Sequence, residues 1–270
     1  MLRHCLCHSA WHLAPSHAQR DRLDFYHGLL GVSETGLEDR SSLIVAIDGP
    51  SGVGKTTVAS LVAKELELPY LSTGAMYRSV ALKVIEQGVE ADDREAVEEM
   101  ARDIDLSLRL ADDGQIEVFV DGEPSGDRIK GLKVAQTTSQ ISAYSDVRKR
   151  LVALQREWAT RHGAVLEGRD IGTKVFPDTP HKFFLEAPTW VRVERRWLEL
   201  RARGRTDLVR SEVEREFLER DRRDRTRPDS PLCHDETYSV IDTSGSEPWE
   251  VVEKIVAEVR AKSEPSAGGA

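Results

Sequence analysis

A glycine-rich turn between an apolar run and a helical pattern most constrains the fold of this chain. The run Ser42–Asp48 is apolar and rich in β-branched residues, and it leads directly into Gly49–Thr56, which reads Gly-Pro-Ser-Gly-Val-Gly-Lys-Thr. Apolar residues then recur at helical spacing, at Val58, Leu61, Val62 and Leu66. This order of strand, glycine-rich loop and helix predicts a loop that binds the phosphates of a nucleoside triphosphate.

The residues of this loop have separate predicted tasks. The glycines let backbone N–H groups close around phosphate oxygens, and the following helix points its positive N-terminal end at them. Lys55 is expected to reach the outer phosphates, and the hydroxyl of Thr56 to bind Mg²⁺. The predicted ATP-binding residues are Gly49, Pro50, Ser51, Gly52, Val53, Gly54, Lys55, Thr56 and Thr57.

Composition narrows the classes of protein to consider. The chain has 270 residues, enough to bury a full core, and its formal net charge of −9 argues against sequence-independent binding of nucleic acid. The three cysteines, Cys5, Cys7 and Cys233, make no disulfide framework. No apolar run approaches the roughly twenty residues of a membrane span, and the N-terminus lacks the apolar core of a secretory signal. We expect a soluble cytoplasmic protein that does not bind membranes.

The two ends of the chain differ in character from the rest. Residues 1–40 show no sustained helical or strand period, which predicts a disordered extension, and residues 264–270 are predicted to be a flexible tail. The folded domain is therefore expected to span residues 41–263. Two alternatives for the extension are an organelle-targeting segment, because residues 1–20 contain arginine and no acid, and a metal site. The metal-site candidates, whose spacing matches no familiar zinc pattern, are His4, Cys5, Cys7 and His8.

Short apolar segments alternate with helical patterns from Leu43 onward. The five strand candidates are Leu43–Ile47, Tyr70–Thr73, Ala164–Glu167, Lys182–Leu185 and Tyr238–Ile241. Such alternation predicts the α/β fold of a P-loop NTPase, with a five-stranded parallel sheet flanked by helices. Ligands of such sheets bind at the carboxyl ends of the strands. The loops expected at that edge begin at Gly49, Thr73, Gly168 and Ala187.

One segment breaks this alternation. Residues 105–110 alternate polar with apolar side chains, Asp112–Gly114 supplies a turn, and residues 115–120 resume an extended pattern. The pattern predicts an antiparallel hairpin inside an insertion of about residues 92–136. The insertion is expected either to help close over a substrate or to be a surface addition without a role in binding.

Arginines follow several of the predicted strands. Arg78 lies just after Thr73, and Arg169 with Asp170 leaves another strand at the same edge. Guanidinium groups suit a phosphate monoester because they donate two parallel hydrogen bonds. A surface ion pair explains any one of these arginines alone, but their placement after separate strands favours a shared site.

A helix predicted to start near Ser211, with Ser211 and Glu214 as a capping box, carries a second group of charges. One face of this helix begins apolar and becomes charged, and its residues are Val213, Phe217, Arg220, Asp224 and Arg227. Burying these charges unpaired is costly, so the second half of the face is expected to line a polar cleft. The alternative is an Asp–Arg pair on a frayed helix end.

Two further segments contribute arginines. Arg148 lies beside an apolar helical stripe formed by Val147, Leu151, Leu154 and Trp158. A lid is predicted at about residues 192–210, where arginines on a mobile segment can cover a triphosphate and exclude water. Its arginines are Arg192, Arg195, Arg196, Arg201, Arg203 and Arg205, and a solvated helix face is the alternative.

Taken together, five motifs resemble bacterial cytidylate kinase. They are Gly49–Thr56, Ser72–Arg78, Val147–Arg148, Glu167–Gly172 with Val175–Asp178, and Glu219–Arg227, and the resemblance covers about residues 43–260. It implies a nucleoside monophosphate kinase fold with an enlarged monophosphate-binding region and a lid. The implied reaction transfers the γ-phosphoryl group of ATP, bound with Mg²⁺, to CMP or dCMP in pyrimidine nucleotide metabolism. A monomer is implied as well.

The resemblance also implies roles for single residues. Cytosine would be bound by Thr73, Arg148, Asp170 and Arg227, the sugar by Ser139, Arg220 and Asp224, and the acceptor phosphate by Arg78 and Arg169. The catalytic residues would be Lys55, Arg78, Arg169 and Arg220. The family commonly places Asp where Ser72 stands here, which puts in doubt how a lid arginine or a metal-bound water is positioned.

Three rival functions remain open on the sequence. A kinase for another small phosphate acceptor would have a similar phosphate loop and similar arginines. A GTP-dependent switch is less well supported, because the chain has no Asn-Lys-x-Asp run for reading guanine. An arginine-helix protein that binds nucleic acid conflicts with the acidic net charge.

Overall fold

The strands of the main sheet are all parallel, and β1, the strand that leads into the phosphate loop, is central. The computed structural model describes residues 43–205 and 209–263. Within them the sheet has the order β2-β6-β1-β7-β8. Its strands are β1 (Ile44–Asp48), β2 (Tyr70–Ser72), β6 (Ala164–Gly168), β7 (His181–Glu186) and β8 (Ser239–Asp242). The predicted fold class is confirmed, and each predicted strand is found within about one residue of its expected bounds.

Helices cover both faces of this sheet. They are α1 (Lys55–Leu66), α2 (Thr73–Glu86), α3 (Arg94–Asp103), α4 (Leu132–Ile141), α5 (Ser145–His162), α6 (Thr189–Ala202), α7 (Arg210–Thr226) and α8 (Pro248–Ser263). Along β1, Val45 and Ile47 pack with α1 and α8, whereas Ile44 and Ala46 pack with α2 and α5. Both faces of β1 are therefore buried, which explains its uninterrupted apolar sequence.

The predicted hairpin is present between α3 and α4. Strands β3 (Leu106–Leu110) and β4 (Ile116–Val120) pair antiparallel, and β5 (Glu123–Pro124) adds a short third strand. Gly114 provides the turn in a left-handed conformation with φ of 80°. A short 3₁₀ helix, Gly126–Lys130, then leads to α4. Val118 and Val120 of β4 belong to the same apolar core as α2, so the hairpin is packed firmly on the main domain.

The start of α7 differs from the prediction. The helix begins at Arg210, and the backbone N–H of Val209 donates to Oε2 of Glu212 at 3.3 Å. The predicted capping box of Ser211 with Glu214 is therefore wrong, because Ser211 already lies within the helix. The glutamate that bonds back to the start of the helix is Glu212, two residues before the predicted Glu214, and the residue before the helix is Val209, which carries no capping hydroxyl.

Several sequence predictions lie outside the described residues. They concern the extension at residues 1–40 with its metal and targeting alternatives, and the tail at residues 264–270. Within residues 43–205 and 209–263, no helix is both long and apolar enough to cross a membrane.

Candidate active site

The phosphate loop is held by neighbours that leave no space for larger side chains at two glycines. A Cβ on Gly49 would lie 2.3 Å from the carbonyl oxygen of Leu185 on β7, and one on Gly52 would lie 2.8 Å from the Phe217 ring on α7. Gly54, the residue before α1, has φ of 92°. The loop is thus fixed between β7 and α7, and its backbone N–H groups are held in place for an anion.

Lys55 lies at the first turn of α1, directly beneath the loop. Its Nζ donates to the carbonyl oxygen of Pro50 at 2.7 Å, and the side chain is buried. Burial and the nearby charge of Arg169 lower the pKa of Lys55 well below its usual value. A bound polyphosphate would add negative charge beside this buried ammonium, which is therefore positioned for an anion.

Glu167, at the end of β6, joins the phosphate loop to β2. Its Oε1 accepts from Ser72 Oγ at 2.8 Å, from Thr56 Oγ1 at 3.2 Å and from Tyr70 Oη at 3.5 Å. Burial opposes its ionisation, but Lys55 and Ser72 outweigh that effect, so the pKa of Glu167 lies below its usual value. An ionised carboxylate therefore lies next to the exposed hydroxyl of Thr56.

Glu167 belongs to the motif Glu167–Gly172, but the sequence predicts no role for it. The signal that could have found it is its position: an acid at the end of the strand beside β1 faces the residue after the loop lysine. The serine at position 72, where the family commonly has Asp, donates to this carboxylate. Ser72 and Glu167 thus form one hydrogen-bonded pair at the place where the sequence left a role in doubt.

A group of guanidinium cations lies on the other side of the loop. Arg169 donates from Nη2 to Ser51 Oγ at 2.8 Å and from Nε to Asp224 Oδ2 at 2.9 Å. Burial lowers the pKa of Arg220 to about 10, and the charges of Arg169, Arg78 and Arg196 act in the same direction. Within the described part of the chain, Arg220 Nε is buried without a hydrogen-bond partner.

This repulsion among cations identifies what the group is arranged to bind. Burial lowers the pKa of Arg78 as well, and Arg169 and Arg196 lower it further, although Glu167 opposes them. Cations gathered in this way are stabilised by an anion placed among them. Arg78 and Arg169, predicted to bind the acceptor phosphate, therefore lie together with Arg220, predicted to bind the sugar and to act in catalysis, beside the phosphate loop.

A second, more buried charge cluster lies next to the first. Arg148 Nη2 is paired with Asp170 Oδ2, and Arg227 Nη2 lies 3.7 Å from Asp170 Oδ1. Arg148 also donates from Nη1 to the carbonyl oxygen of Ser142 at 3.1 Å, and its guanidinium lies 5.6 Å from the Tyr77 ring centre. Asp170 precedes a π-type turn, Ile171–Val175, in which Phe176 N–H bonds the carbonyl oxygen of Ile171.

This second cluster borders an open cleft of about 440 Å³ between α4 and the end of α7. Among the predicted residues it is lined by Ser139, Asp224 and Arg227, and Arg223 is an addition that the sequence did not single out. The hydroxyl of Ser139 is buried and makes no hydrogen bond within the described residues. Thr73 lies at the same edge and donates to the carbonyl oxygen of Glu167 at 2.8 Å.

The predicted site residues are thus brought to one edge of the sheet, in two connected groups. The pair Arg169–Asp224 joins the phosphate side to the cleft. Burial opposes ionisation of Asp224, but Arg169 and Arg220 outweigh it and hold the pKa of Asp224 below its usual value. A triphosphate loop, an anion site and a polar cleft therefore lie side by side at this edge of the sheet.

Two of the predicted lid arginines have other partners. Arg192 donates from Nη1 to the carbonyl oxygen of Ser51 at 3.1 Å and pairs with Asp221 Oδ2 at 2.6 Å. Arg195 donates from Nη2 to the carbonyl oxygen of Thr243 at 2.6 Å. Arg192 and Arg195 thus fasten α6 to the phosphate loop, to α7 and to Thr243, and the lid over residues 192–210 stays a prediction. Arg196, on the neighbouring face, is the lid arginine whose charge reaches Arg78 and Arg220.

Comparison with known proteins agrees with this geometry. The model of the family described as "Cytidylate kinase" matches residues 45–261. The cytidylate kinase of Pelotomaculum thermopropionicum is 43% identical over 217 residues, covering 80% of this chain and 96% of that protein. The cytidylate kinase of Corynebacterium diphtheriae is 43% identical over 229 residues, covering 83% and 97%.

Among solved structures, a gluconokinase from Sinorhizobium meliloti 1021 aligns with a TM-score of 0.42 at 15% identity, covering 83% of this chain and 94% of that one. The assignment rests on the family match and the curated relatives, which span nearly the whole described domain. The chain belongs to the cytidylate kinase family and is a nucleoside monophosphate kinase with a P-loop fold.

Proposed function

We propose that this protein transfers the γ-phosphoryl group of ATP to CMP and dCMP, giving ADP with CDP or dCDP, as a cytoplasmic monomer in pyrimidine nucleotide metabolism. The observation that carries the proposal is the buried Arg148–Asp170–Arg227 cluster beside the open cleft. It offers one carboxylate acceptor between two guanidinium donors. Cytosine has the complementary edge, an amino group that donates and a ring nitrogen and carbonyl that accept.

Each substrate group then has a set of partners. The triphosphate of ATP lies in the loop Gly49–Thr57, and Lys55 binds its outer phosphates. The acceptor phosphate is bound by Arg78 and Arg169, which already lie with Arg220 beside the loop. The sugar is bound by Ser139, Arg220 and Asp224, and the free hydroxyl of Ser139 supports this assignment. Thr73 completes the contacts to cytosine.

The donor set fits Mg²⁺. Thr56 supplies an exposed hydroxyl and Glu167 an ionised carboxylate within 3.2 Å of it, and Mg²⁺ prefers oxygen ligands together with phosphate oxygens. Thr56 is the residue we assign as a direct ligand, and Glu167 would act from the neighbouring position. When bound, the ion neutralises charge on the phosphates.

The residues of the chain carry out the transfer by alignment and charge neutralisation. An acceptor phosphate oxygen is already anionic, so no side chain has to remove a proton. Lys55, Arg78, Arg169 and Arg220 surround the position between donor and acceptor and stabilise the charge that develops there. Because these cations repel one another without an anion, they bind the transferring group more strongly as its charge spreads.

The insertion and lid complete the proposed domain organisation. We assign residues 92–136 to the monophosphate-binding lobe and about 192–210 to the lid, within a kinase domain of residues 41–263. The hairpin packs on α2, the helix that carries Arg78, so movement of the lobe would be transmitted to the acceptor phosphate. We assign Arg196, which pairs with Glu199 at 2.8 Å, to the neighbourhood of the transferring phosphate, because its positive charge acts on Arg78 and Arg220.

The test is a substrate panel. ADP release is measured with MgATP and CMP, dCMP, UMP, AMP or GMP, and Lys55→Ala serves as the inactive control. We expect CMP and dCMP to react on the order of 100-fold faster than the purine nucleotides, because an unmatched base leaves the buried cluster unpaired. Faster turnover with a different acceptor would support the rival kinase and contradict the base assignments. Absence of turnover with all five would contradict kinase activity on these nucleotides altogether.

A second prediction concerns the residue that sequence reasoning missed. We expect Glu167→Gln to lower kcat on the order of 100-fold, since the variant removes the ionised carboxylate that accepts from Thr56, the residue assigned to Mg²⁺. The concentration of Mg²⁺ needed for half-maximal activity should rise. Kinetic titration with Mg²⁺ at saturating ATP measures both effects.

The matched control is Glu157→Gln, which removes an exposed carboxylate paired with Arg161 on α5. This variant should behave like the wild type. If Glu167→Gln changes kcat and the Mg²⁺ requirement no more than Glu157→Gln does, Glu167 has no part in metal-dependent transfer.

A further inference from the structure

The last residue of β1 has a fully buried carboxylate that the mechanism above does not use. Asp48 is 0% exposed, although it directly precedes the phosphate loop. Oδ1 accepts from the backbone N–H of Ile171 at 2.9 Å, and Oδ2 accepts from the N–H of Gly172 at 2.9 Å. Oδ2 also accepts from Tyr238 Oη at 2.8 Å. One carboxylate therefore joins three segments that are far apart in sequence.

The two amides bound by Asp48 follow directly after Arg169 and Asp170. These residues are the proposed ligands of the acceptor phosphate and of cytosine, and both leave β6 on the same short turn. The carbonyl oxygen of Asp170 accepts from the N–H of Lys174 at 2.9 Å, which continues the turn away from the site. The Asp48 hydrogen bonds hold the start of this turn against β1, so they fix the direction in which it departs.

Tyr238 closes the arrangement from the far side. It lies just before β8, and its hydroxyl reaches across β7 to Asp48. A Cβ on Gly172 would lie 2.5 Å from Tyr238 Oη, so the ring packs directly on the backbone of the turn. Lys182 Nζ lies 5.9 Å from the Tyr238 ring centre, on the strand between them. The turn is thus confined between a carboxylate and an aromatic ring.

We infer that Asp48 and Tyr238 are positioning residues for the acceptor nucleotide, because together they hold the turn that carries Arg169 and Asp170 in its binding conformation. This inference rests on the proposed function for the identity of the nucleotide. Neither residue touches the substrate in this arrangement. Their effect reaches it through the backbone of Ile171 and Gly172, and an error of about 1 Å in such positioning lowers rates strongly.

The ionisation of Asp48 agrees with such a role. Burial and, to a smaller extent, the neighbouring charge of Asp170 raise the pKa of Asp48, the bonds from Gly172, Ile171 and Tyr238 lower it, and the resulting pKa is about 6. At neutral pH the carboxylate is mostly ionised, and it accepts hydrogen bonds from the Ile171 and Gly172 amides and from the Tyr238 hydroxyl. A buried charge at this point is costly to the fold, and costs of this kind are characteristic of functional sites.

The experiment compares Asp48→Asn and Tyr238→Phe with the wild type in two measurements. Tyr238→Phe removes one hydroxyl and keeps the ring, so it remains informative if Asp48→Asn folds poorly. Tyr144→Phe is the matched control, because its hydroxyl donates to the carbonyl oxygen of Ala91 at 2.8 Å rather than to Asp48. The first measurement is hydrogen exchange of the Ile171 and Gly172 amides without nucleotide.

We expect these two amides to exchange about tenfold faster in Asp48→Asn and about threefold faster in Tyr238→Phe. The second measurement is steady-state kinetics. The KM for CMP should rise about tenfold in Asp48→Asn and less in Tyr238→Phe, whereas the KM for ATP should change by less than about twofold. Tyr144→Phe should leave both measurements unchanged.

Equal increases in the KM for ATP and for CMP would overturn the inference, since they would indicate general loosening of the domain. Unchanged amide exchange, or faster exchange with an unchanged KM for CMP, would overturn it as well. Failure of the proposed function would be seen separately, as absence of CMP turnover by the wild type. The exchange measurement needs no substrate, so it tests the contacts of Asp48 in either case.

Discussion

Replacement of Lys55 by alanine is expected to lower kcat by a factor on the order of 10³, equivalent to about 4 kcal/mol of transition-state stabilisation. The ammonium is the cation closest to the phosphate loop, and its Nζ already bonds the loop at Pro50. During transfer, charge moves toward the oxygen that leaves, where Lys55 is positioned to neutralise it. The measurement is single-turnover kinetics with saturating CMP and MgATP.

Stability should behave differently from activity in this variant. Burial lowers the pKa of Lys55, so the fold bears the cost of a buried cation that alanine does not impose. We therefore expect the melting temperature without nucleotide to remain close to that of the wild type. A companion variant, Lys55→Met, fills the same space without a charge and separates loss of the ammonium from the cavity that alanine leaves.

Lys64→Ala is the matched control for this pair of variants. Lys64 is exposed and lies on the same helix as Lys55, on its opposite face. It should retain full activity. A kcat for Lys55→Ala within tenfold of the Lys64→Ala value would contradict the assignment of Lys55 to charge stabilisation, and with it the proposed use of the loop.

The second large effect is expected at Asp170. Asp170→Asn should lower kcat/KM for CMP by roughly 100-fold or more and should reduce the preference for CMP over UMP. The carboxylate is the acceptor proposed for the amino group of cytosine, and an amide oriented by two arginines presents a different pattern of donors and acceptors. Arg148→Ala should have a similar effect on preference, because Arg148 orients Asp170.

The same substitution is expected to destabilise the fold. Arg148 and Arg227 are buried, and removing the carboxylate between them leaves two cations without that counter-charge, a change that typically costs about 3–5 kcal/mol. Denaturant unfolding measures this cost. Binding of CMP is measured separately, by calorimetry. Calorimetry reports base preference for the folded fraction alone.

Asp146→Asn provides the control for Asp170→Asn. Asp146 also pairs with an arginine, Arg102, at 2.9 Å, and with Lys149 at 3.1 Å, but these pairs are exposed and Asp146 does not line the cleft. Its removal should change stability by less than about 1 kcal/mol and leave base preference unaltered. Asp146→Asn should leave the substrate profile unchanged. If Asp170→Asn leaves it unchanged as well, the cytosine assignment is contradicted.

The sequence was most informative where a local pattern determines a local structure. The spacing of glycines in Gly49–Thr56 and the alternation in residues 105–120 were sufficient to predict the loop and the hairpin, because turn chemistry and side-chain period act over a few residues. The parallel sheet followed from the alternation of strands with helices. Bounds were less certain, as at Ser211, where a capping pattern typical of a helix start lies one residue inside the helix.

The site was predicted less completely, because pairing across the fold does not leave a local pattern. Arg192 and Arg196 lie four residues apart on α6, yet Arg192 is buried against Ser51 and Asp221, whereas Arg196 is partly exposed and pairs with Glu199 on its own helix. Their sequence neighbours do not distinguish them. The contacts of Glu167 with Ser72 and Thr56 also join three separate strands and loops, so only the assembled sheet reveals that carboxylate as a shared partner.

The attachment of α6 to the phosphate loop determines how this helix can act as a lever. Arg192 lies near the beginning of α6 and is fastened to Ser51 and Asp221, whereas Arg203 follows the far end. At 1.5 Å per residue these positions are about 16 Å apart along the helix axis. A rotation of about 10° around the fastened end would carry the far end roughly 3 Å. A small adjustment of the loop around a triphosphate would therefore be amplified with distance along α6, least at its beginning and most near Arg203.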